Sequence, residues 1–268
     1  MSPRTGGRIA KVVIWAAGIL VLAVLAAIIL YILIMGLPKV ITNPKFLIEN
    51  PREAGNAGGI ASTIGGTFAV TSVAVLLAIP FGIGTAFYLA EYTSENAFTR
   101  VIRFSVESLA GIPSIVYGLF GFIVFVSAFG WSVLSGGLTL AIMILPTIIR
   151  TSEEAIKTVP VTYRETSFSL GATKWQTVSK VVFPSAMRGI VNGVILGIGR
   201  CVAETAAVML TAGSATMATH FYYLLTEGRA MEHAMDNAYG TAAVLIIFIL
   251  IINVGANALV NRFVAKNK

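Results

Sequence analysis

Two charged side chains stand inside an otherwise apolar run: Arg200 and Glu204, in GIGRCVAETAAVMLTAG at residues 197–213. A spacing of four places both on one face of a helix. If that helix crosses a bilayer, each charge at its centre costs about 2.5–3.5 kcal/mol to insert, so the pair needs a reason to be there. One reading is a mutually neutralised pair that fixes helix rotation. The other is a guanidinium lining an anion path, because the arginine fork matches oxyanion oxygens, with Glu204 moderating the attraction so that the ion is not trapped. Glu107 is a second candidate for such a path, or for a gating or structural pair with Arg103 four residues earlier. His220 and His233 lie near Glu227, Glu232 and Asp236, but no metal-ligand spacing links them. Cys201 is the only cysteine, which excludes an internal disulfide and suits an apolar packing position. No HExxH, GxSxG or Gly-Lys phosphate loop occurs, so the chain predicts no catalytic or metal constellation, no cofactor of its own, and no site for ATP.

The elements that must position these groups follow from hydropathy. The 268 residues are 56% hydrophobic and 12% charged, about half the charge of an ordinary soluble domain. The apolar stretches are about the 20 residues that a membrane helix requires. Six spans are predicted: Val12–Leu37, Ala61–Tyr88, Val106–Phe129, Gly136–Ile149, Met187–Ala212 and Asn237–Val260. The fold class is therefore all-α and integral to the membrane, with residues 1–60 holding the N-terminal tail, the first span and an extracytoplasmic segment, and 61–268 forming the core. The fourth run is short and crosses only by borrowing a turn past Arg150. The first run, behind Arg4, Arg8 and Lys11, exceeds the h-region of about 7–15 residues in a signal peptide, and reads as a retained anchor.

Of the nineteen Lys and Arg residues, fourteen fall on the N-terminal side of this topology: Arg4, Arg8, Lys11, Arg100, Arg103, Arg150, Lys157, Arg164, Lys174, Lys180, Arg188, Arg262, Lys266 and Lys268. Only Lys39, Lys45, Arg52 and Arg229 fall opposite. The bias places both termini in the cytoplasm and accounts for the net charge of +7 without nucleic acid as a partner.

Small residues mark the packing faces. Gly189, Gly193 and Gly197 recur every four residues in the fifth span, and Arg200 and Glu204 continue that face. In the third span Glu107, Gly111, Ser114, Gly118 and Gly121 form a similar line, with Tyr117 either pore-lining or interfacial. Such faces admit a close neighbouring helix in lipid. Pro80, Gly82 and Gly84 predict a kink in the second span.

The longest polar interruption, residues 150–186, reads as two short helices. The first starts at Val161 after Pro160 and is ended by Gly171, which can take the positive φ of a helix C-terminus. The second starts near Ala172 and leads to Pro184, with Trp175, Val178, Val181 and Val182 on one face. Such a unit can insert into a groove on a partner.

The spacing of this segment resembles the EAA signature of the permease subunits of ABC importers. Glu165, Thr166 and Ser167 take the first three places, Gly171 follows after three residues, and Val181, Phe183 and Pro184 close the pattern after nine more. Thr and Ser replace two alanines, Val replaces Ile, and Phe replaces Leu. AGIPSIVYGLFGFIVF at 110–125, the fifth-span segment at 197–213 and NAGGIASTIGGT at 56–67 are similar to segments of phosphate permeases, the last to the PstA branch; Ala203 stands where the fifth-span pattern has glycine. The resemblance implies the MetI-like type I permease fold, a coupling helix within 161–184 that docks on ATPase cassettes, and ATP and magnesium held by those partners. It also implies a PstC-like second permease subunit, an extracytoplasmic phosphate-binding protein, surrounding membrane lipid, and a possible link to a phosphate-signalling regulator. Its rivals are a permease for tungstate, molybdate or sulfate, and an autonomous channel or secondary carrier.

Overall fold

The structure, a computed structural model, describes residues 3–228 and 233–266. Arg229, Glu232 and Lys268 therefore lie outside the described residues, as do the side chains of Arg4, Arg8, Arg262 and Lys266. Helix α1 (Pro3–Thr42) is followed by a two-stranded hairpin in which β1 (Pro51–Arg52) pairs antiparallel with β2 (Ala57–Gly58), Pro51 opposite Gly58. Then come α2 (Ala61–Phe87), prolonged by a π turn at Tyr88–Tyr92, α3 (Ala97–Ala110), α4 (Ser114–Gly121), a π turn at Phe122–Val126 and the short α5 (Ser127–Phe129). Helix α6 (Val133–Lys157) leads to α7 (Val161–Ser169) and α8 (Lys174–Thr177). A π turn at Val178–Val182 joins α8 to α9 (Phe183–Ala203), and α10 (Ala206–Ala212), α11 (Met217–Thr226) and α12 (Ala234–Lys266) complete the chain.

Five stretches are long and apolar enough to cross a membrane: Lys11–Thr42, Ala61–Tyr92, Val133–Lys157, Lys174–Ala203 and Ala234–Ala258. A sixth candidate is the pair α3 and α4–α5, which is bent by 100°. The single straight third span, Val106–Phe129, is thus corrected. Gly111 and Pro113 interrupt it, because a proline disfavours helical backbone in the residue before it, and Pro113 enters α4 with an extended ψ of 140°. The line from Glu107 to Gly121 is consequently not one face.

The fourth span does run past Arg150, from Val133 to Lys157, and so is longer than its apolar run. Beyond Ile149 the helix continues because its charges pair along its own surface, Arg150 with Glu154 at 3.3 Å and Lys157 with Glu153 at 2.7 Å. The fifth span ends at Ala203 rather than Ala212, since Glu204 is extended (φ −72°, ψ 128°). Nor does the second loop helix stop at Pro184: a proline in a helix's first turn forfeits no hydrogen bond, and Lys174–Ala203 runs on as one span.

The core lies where α2, α6, α9 and α10 meet, around Val70, Ala74, Ala78, Leu140, Ile144, Ile148 and Val208. Glycines set the helix separations. Gly189 faces Ala155, Gly193 faces Thr151, and Gly197 faces Ile148 and Ile144, so α9 lies directly on α6. Gly82 of α2 meets Ile148, and α2 remains one helix through Pro80. Gly118 of α4 meets Ala207 of α10, while Gly121 meets Thr139 and Thr211; Gly111, at the bend, contacts only its own turn.

Two buried hydroxyls of the core are satisfied inside their own helices, Thr139 donating to the Ser135 carbonyl at 2.8 Å and Thr211 to that of Ala207 at 2.7 Å, whereas the buried Ser152 hydroxyl has no partner among the described residues. Helix α1 stands apart, with its apolar side chains outward. It is held on α12 by Gly36 against the Tyr239 backbone and by an edge-on Tyr31–Tyr239 contact with ring centroids 5.9 Å apart.

At the hairpin end, Asn237 Nδ2 donates to the carbonyls of Gly55 (2.8 Å) and Asn56 (3.0 Å). His220 of α11 is buried against Gly55, and burial holds its pKa below the usual histidine value.

Candidate functional site

Two regions carry the polar groups singled out by sequence. The first is the α7–Gly171–α8 unit at one end of the bundle. Pro160 opens α7, and Gly171 closes it with φ +80°, a left-handed conformation that costs other residues about 1–2 kcal/mol. Thr173 then starts α8 through a capping box: the Gln176 amide donates to Thr173 Oγ1 at 3.3 Å and the Thr173 amide to Gln176 Oε1 at 2.8 Å. This start, one residue past the sequence expectation, was legible as the T-x-x-Q pattern. Ser167 and Thr177 share a buried hydroxyl–hydroxyl bond of 2.8 Å that folds α7 onto α8. Glu165 and Thr166 face outward. So do Val161, Tyr163, Phe168, Leu170 and Trp175, the last two 83% and 69% exposed. Val178 and Val182 turn inward instead. Pro184 sits at the start of α9 and is itself exposed.

One residue of this unit escaped the sequence reading. Arg164 donates from Nη2 and Nε to Glu91 Oε1 at 2.6 and 3.0 Å, from Nη1 to the Val159 carbonyl at 2.7 Å, and from Nη2 to the Ile156 carbonyl at 3.0 Å. Its partner lies 73 residues away, so no local spacing announced it.

The second region is the middle of the bundle. Glu204 does not pair with Arg200. The i, i+4 geometry is lost when the helix ends at Ala203, and Glu204 Oε1 instead accepts the amide of Ala207 at 3.2 Å, in the first turn of α10. Among the described residues Arg200 has no ion-pair partner. Tyr117 Oη donates to the Leu109 carbonyl at 2.8 Å, spanning the Gly111–Pro113 bend. Because α4 packs on α10 through Gly118 and Ala207, the bend between α3 and α4 and the break between α9 and α10 lie in neighbouring elements, with Arg200 in the last turn of α9. Discontinuous membrane helices of this kind line ion and substrate sites.

The expected Glu107–Arg103 pair is also corrected. Glu107 approaches Arg150 at 3.5 Å, both side chains being more than half exposed. Arg103 turns instead to Glu95 (2.7 Å) and Glu153 (3.0 Å), because the 100° bend lays α3 against the charged end of α6. Glu107, Arg103, Arg150 and Glu153 line a cavity of about 180 Å³ between the two helices. Among the described residues no group of three His, Cys, Asp or Glu side chains could hold a metal ion.

Five membrane-length helices, one helix pair bent by 100° and an exposed helix–glycine–helix unit at one end define a multi-pass membrane protein. Residues 78–268 match the family described as binding-protein-dependent transport system inner membrane component, and the chain belongs to that family. It is 38% identical over 225 residues to the phosphate transport system permease protein PstA 1 of Mycobacterium tuberculosis (strain CDC 1551 / Oshkosh), covering 79% of this chain and 73% of that protein. It is 32% identical over 264 residues to the probable ABC transporter permease protein YqgI of Bacillus subtilis, covering 88% and 89%. It is 31% identical over 217 residues to a PstA of Xylella fastidiosa (strain Temecula1 / ATCC 700964), covering 76% of each. Among solved structures, a bacterial alginate ABC transporter shares the fold with a TM-score of 0.68 at 16% identity, covering 96% of this chain and 97% of that one. An inward-facing MetNI methionine ABC transporter does so with 0.66 at 19%, covering 76% and 95%.

Proposed function

We propose that this chain is a permease subunit of an ATP-driven importer of inorganic phosphate, itself without catalytic activity. The observation that carries the reading is Arg200, without an ion-pair partner among the described residues and in the last turn of α9 just before its break, in a chain whose relatives at 31–38% identity include phosphate permeases. Arg200 offers its guanidinium to phosphate oxygens, where a bidentate contact is geometrically matched. Glu204, held on the Ala207 amide, stays close enough in sequence to weaken the site, so that the ion can leave.

The bend of α3 on α4–α5 counts as one of six spans, and the Lys and Arg bias puts both termini and α7 in the cytoplasm. There, α7 and α8 dock on an ATPase cassette, which holds ATP and magnesium, and nucleotide-driven closure of the cassettes reaches the spans through α6 and α9. A PstC-like subunit completes the path, an extracytoplasmic binding protein delivers phosphate to the hairpin end, and a phosphate-signalling regulator is a further candidate partner.

The test is uptake of labelled phosphate at micromolar supply in cells lacking this gene, with tungstate, molybdate and sulfate as competitors. High-affinity uptake restored by the wild-type gene and resistant to those anions supports the reading. Uptake unaffected by deletion, in cells with no second system, contradicts the cargo, and strong competition by one of the other oxyanions reassigns it.

A further inference from the structure

Helix α7 is joined covalently to α6 through Thr158–Pro160 and to α8–α9 through Leu170–Thr173. Helix α2 has no such connection, yet it packs along α6 through the core, and its end lies beside α7. Among the described residues, one polar tie joins α7 to this end of α2: Arg164 to Glu91. The side chains are only 17% and 9% exposed, and burial of this kind makes a charge pair costly to break. Glu91 belongs to the π turn at Tyr88–Tyr92. A π turn carries one more residue than an α turn, so it shifts the face on which later side chains point, and such turns often mark functional positions. The same guanidinium is fixed to the last turn of α6 and to the loop beyond it by the Ile156 and Val159 carbonyls. Arg164 therefore gathers three elements, α7, α6 and α2, onto one rigid planar group.

We infer that Arg164 and Glu91 are a positioning pair that makes α2 move with α7, so that a push on the docking helix reaches a third span as well as the two attached to it. The inference rests on the reading of α7 as the helix that docks on the cassettes. It assigns to neither residue any contact with the cassette, with phosphate or with nucleotide.

The experiment uses the whole complex, with partner permease, cassettes and binding protein, in proteoliposomes. Transport and ATP hydrolysis are measured together for wild type, Glu91→Gln, Arg164→Gln, Arg164→Lys and an exposed control on α1, Lys11→Gln. Glu91→Gln leaves Arg164 its two backbone carbonyls, so folding is preserved, and co-purification of all subunits checks assembly. The ratio of phosphate moved to ATP hydrolysed is expected to fall about tenfold or more in both glutamine variants, in line with removing one partner of a buried pair. Arg164→Lys, which keeps the charge, retains more of the ratio than Arg164→Gln, and Lys11→Gln matches wild type. An unchanged ratio, a parallel loss of transport and hydrolysis, or a lysine variant no better than glutamine overturns the inference. A wild-type complex without ATP-driven transport overturns the reading of α7 first and the pair with it.

Discussion

Glu204 turns away from Arg200, four residues before it, and accepts the Ala207 amide at 3.2 Å. Among the described residues, neither Glu204 nor any other carboxylate forms an ion pair with Arg200. Replacing Arg200 by Gln is expected to abolish phosphate transport while membrane insertion and subunit assembly stay normal. Arg200→Lys keeps the charge but not the fork and is expected to leave a small residual rate. Uptake assays alongside quantitative immunoblots check both. Loss of the subunit itself in Arg200→Gln would return Arg200 to a structural role.

Gly171 takes φ +80° with no heavy atom within 4 Å of where a Cβ would sit. The obstacle to substitution is therefore conformational and not steric. Gly171→Ala is expected to cost about 1–2 kcal/mol locally and to reduce transport modestly. Gly171→Pro cannot reach a positive φ and is expected to abolish transport with insertion intact. Normal uptake by the proline variant would remove the coupling role from this loop.

Gly193 leaves no room at all: an added Cβ would overlap the Thr151 side chain on α6. Gly193→Val is expected to destabilise the bundle by about 1–3 kcal/mol through overpacking. Gly199→Ala, two turns along and facing open space, should be neutral. Thermal unfolding in detergent distinguishes the two.

His220 is 4% exposed, and burial lowers its folded pKa below the ordinary value of 6.5. The unfolded chain therefore takes up its proton first as pH falls. Stability from this group is complete above about pH 6.5 and is lost as pH drops toward the lowered folded value. The transition temperature of the purified protein should fall between pH 7.5 and pH 5, and His220→Phe should flatten that dependence. A wild-type profile flat over this range would show that the histidine is not held neutral by burial.

Much of this architecture was legible because hydropathy and small-residue spacing are local signals. Ala61 begins α2 and Val161 begins α7 where the sequence placed them, and Gly189, Gly193 and Gly197 do line one face. The misreadings share a cause: periodicity was extended through a break. Ile112–Pro113 and Glu204–Thr205 interrupt runs that are apolar on both sides, and hydropathy cannot see a change of direction. Conversely, the apolar run of the fourth span stops at Ile149, but the helix continues through Arg150 and Lys157 because their carboxylate neighbours pair with them. Arg103 chose Glu153, 50 residues on, over Glu107 one turn away, and Arg164 chose Glu91. Partner choice among charges depends on which helices meet, and no sequence spacing contains that.

The most direct test of the account is phosphate accumulation in proteoliposomes containing the purified complex, with the binding protein on one side and ATP on the other. The account predicts accumulation that requires ATP, the cassettes and this subunit together, and that disappears with Arg200→Gln. Phosphate flux through this subunit without cassettes or ATP would contradict it, and would make the chain a channel or carrier in its own right.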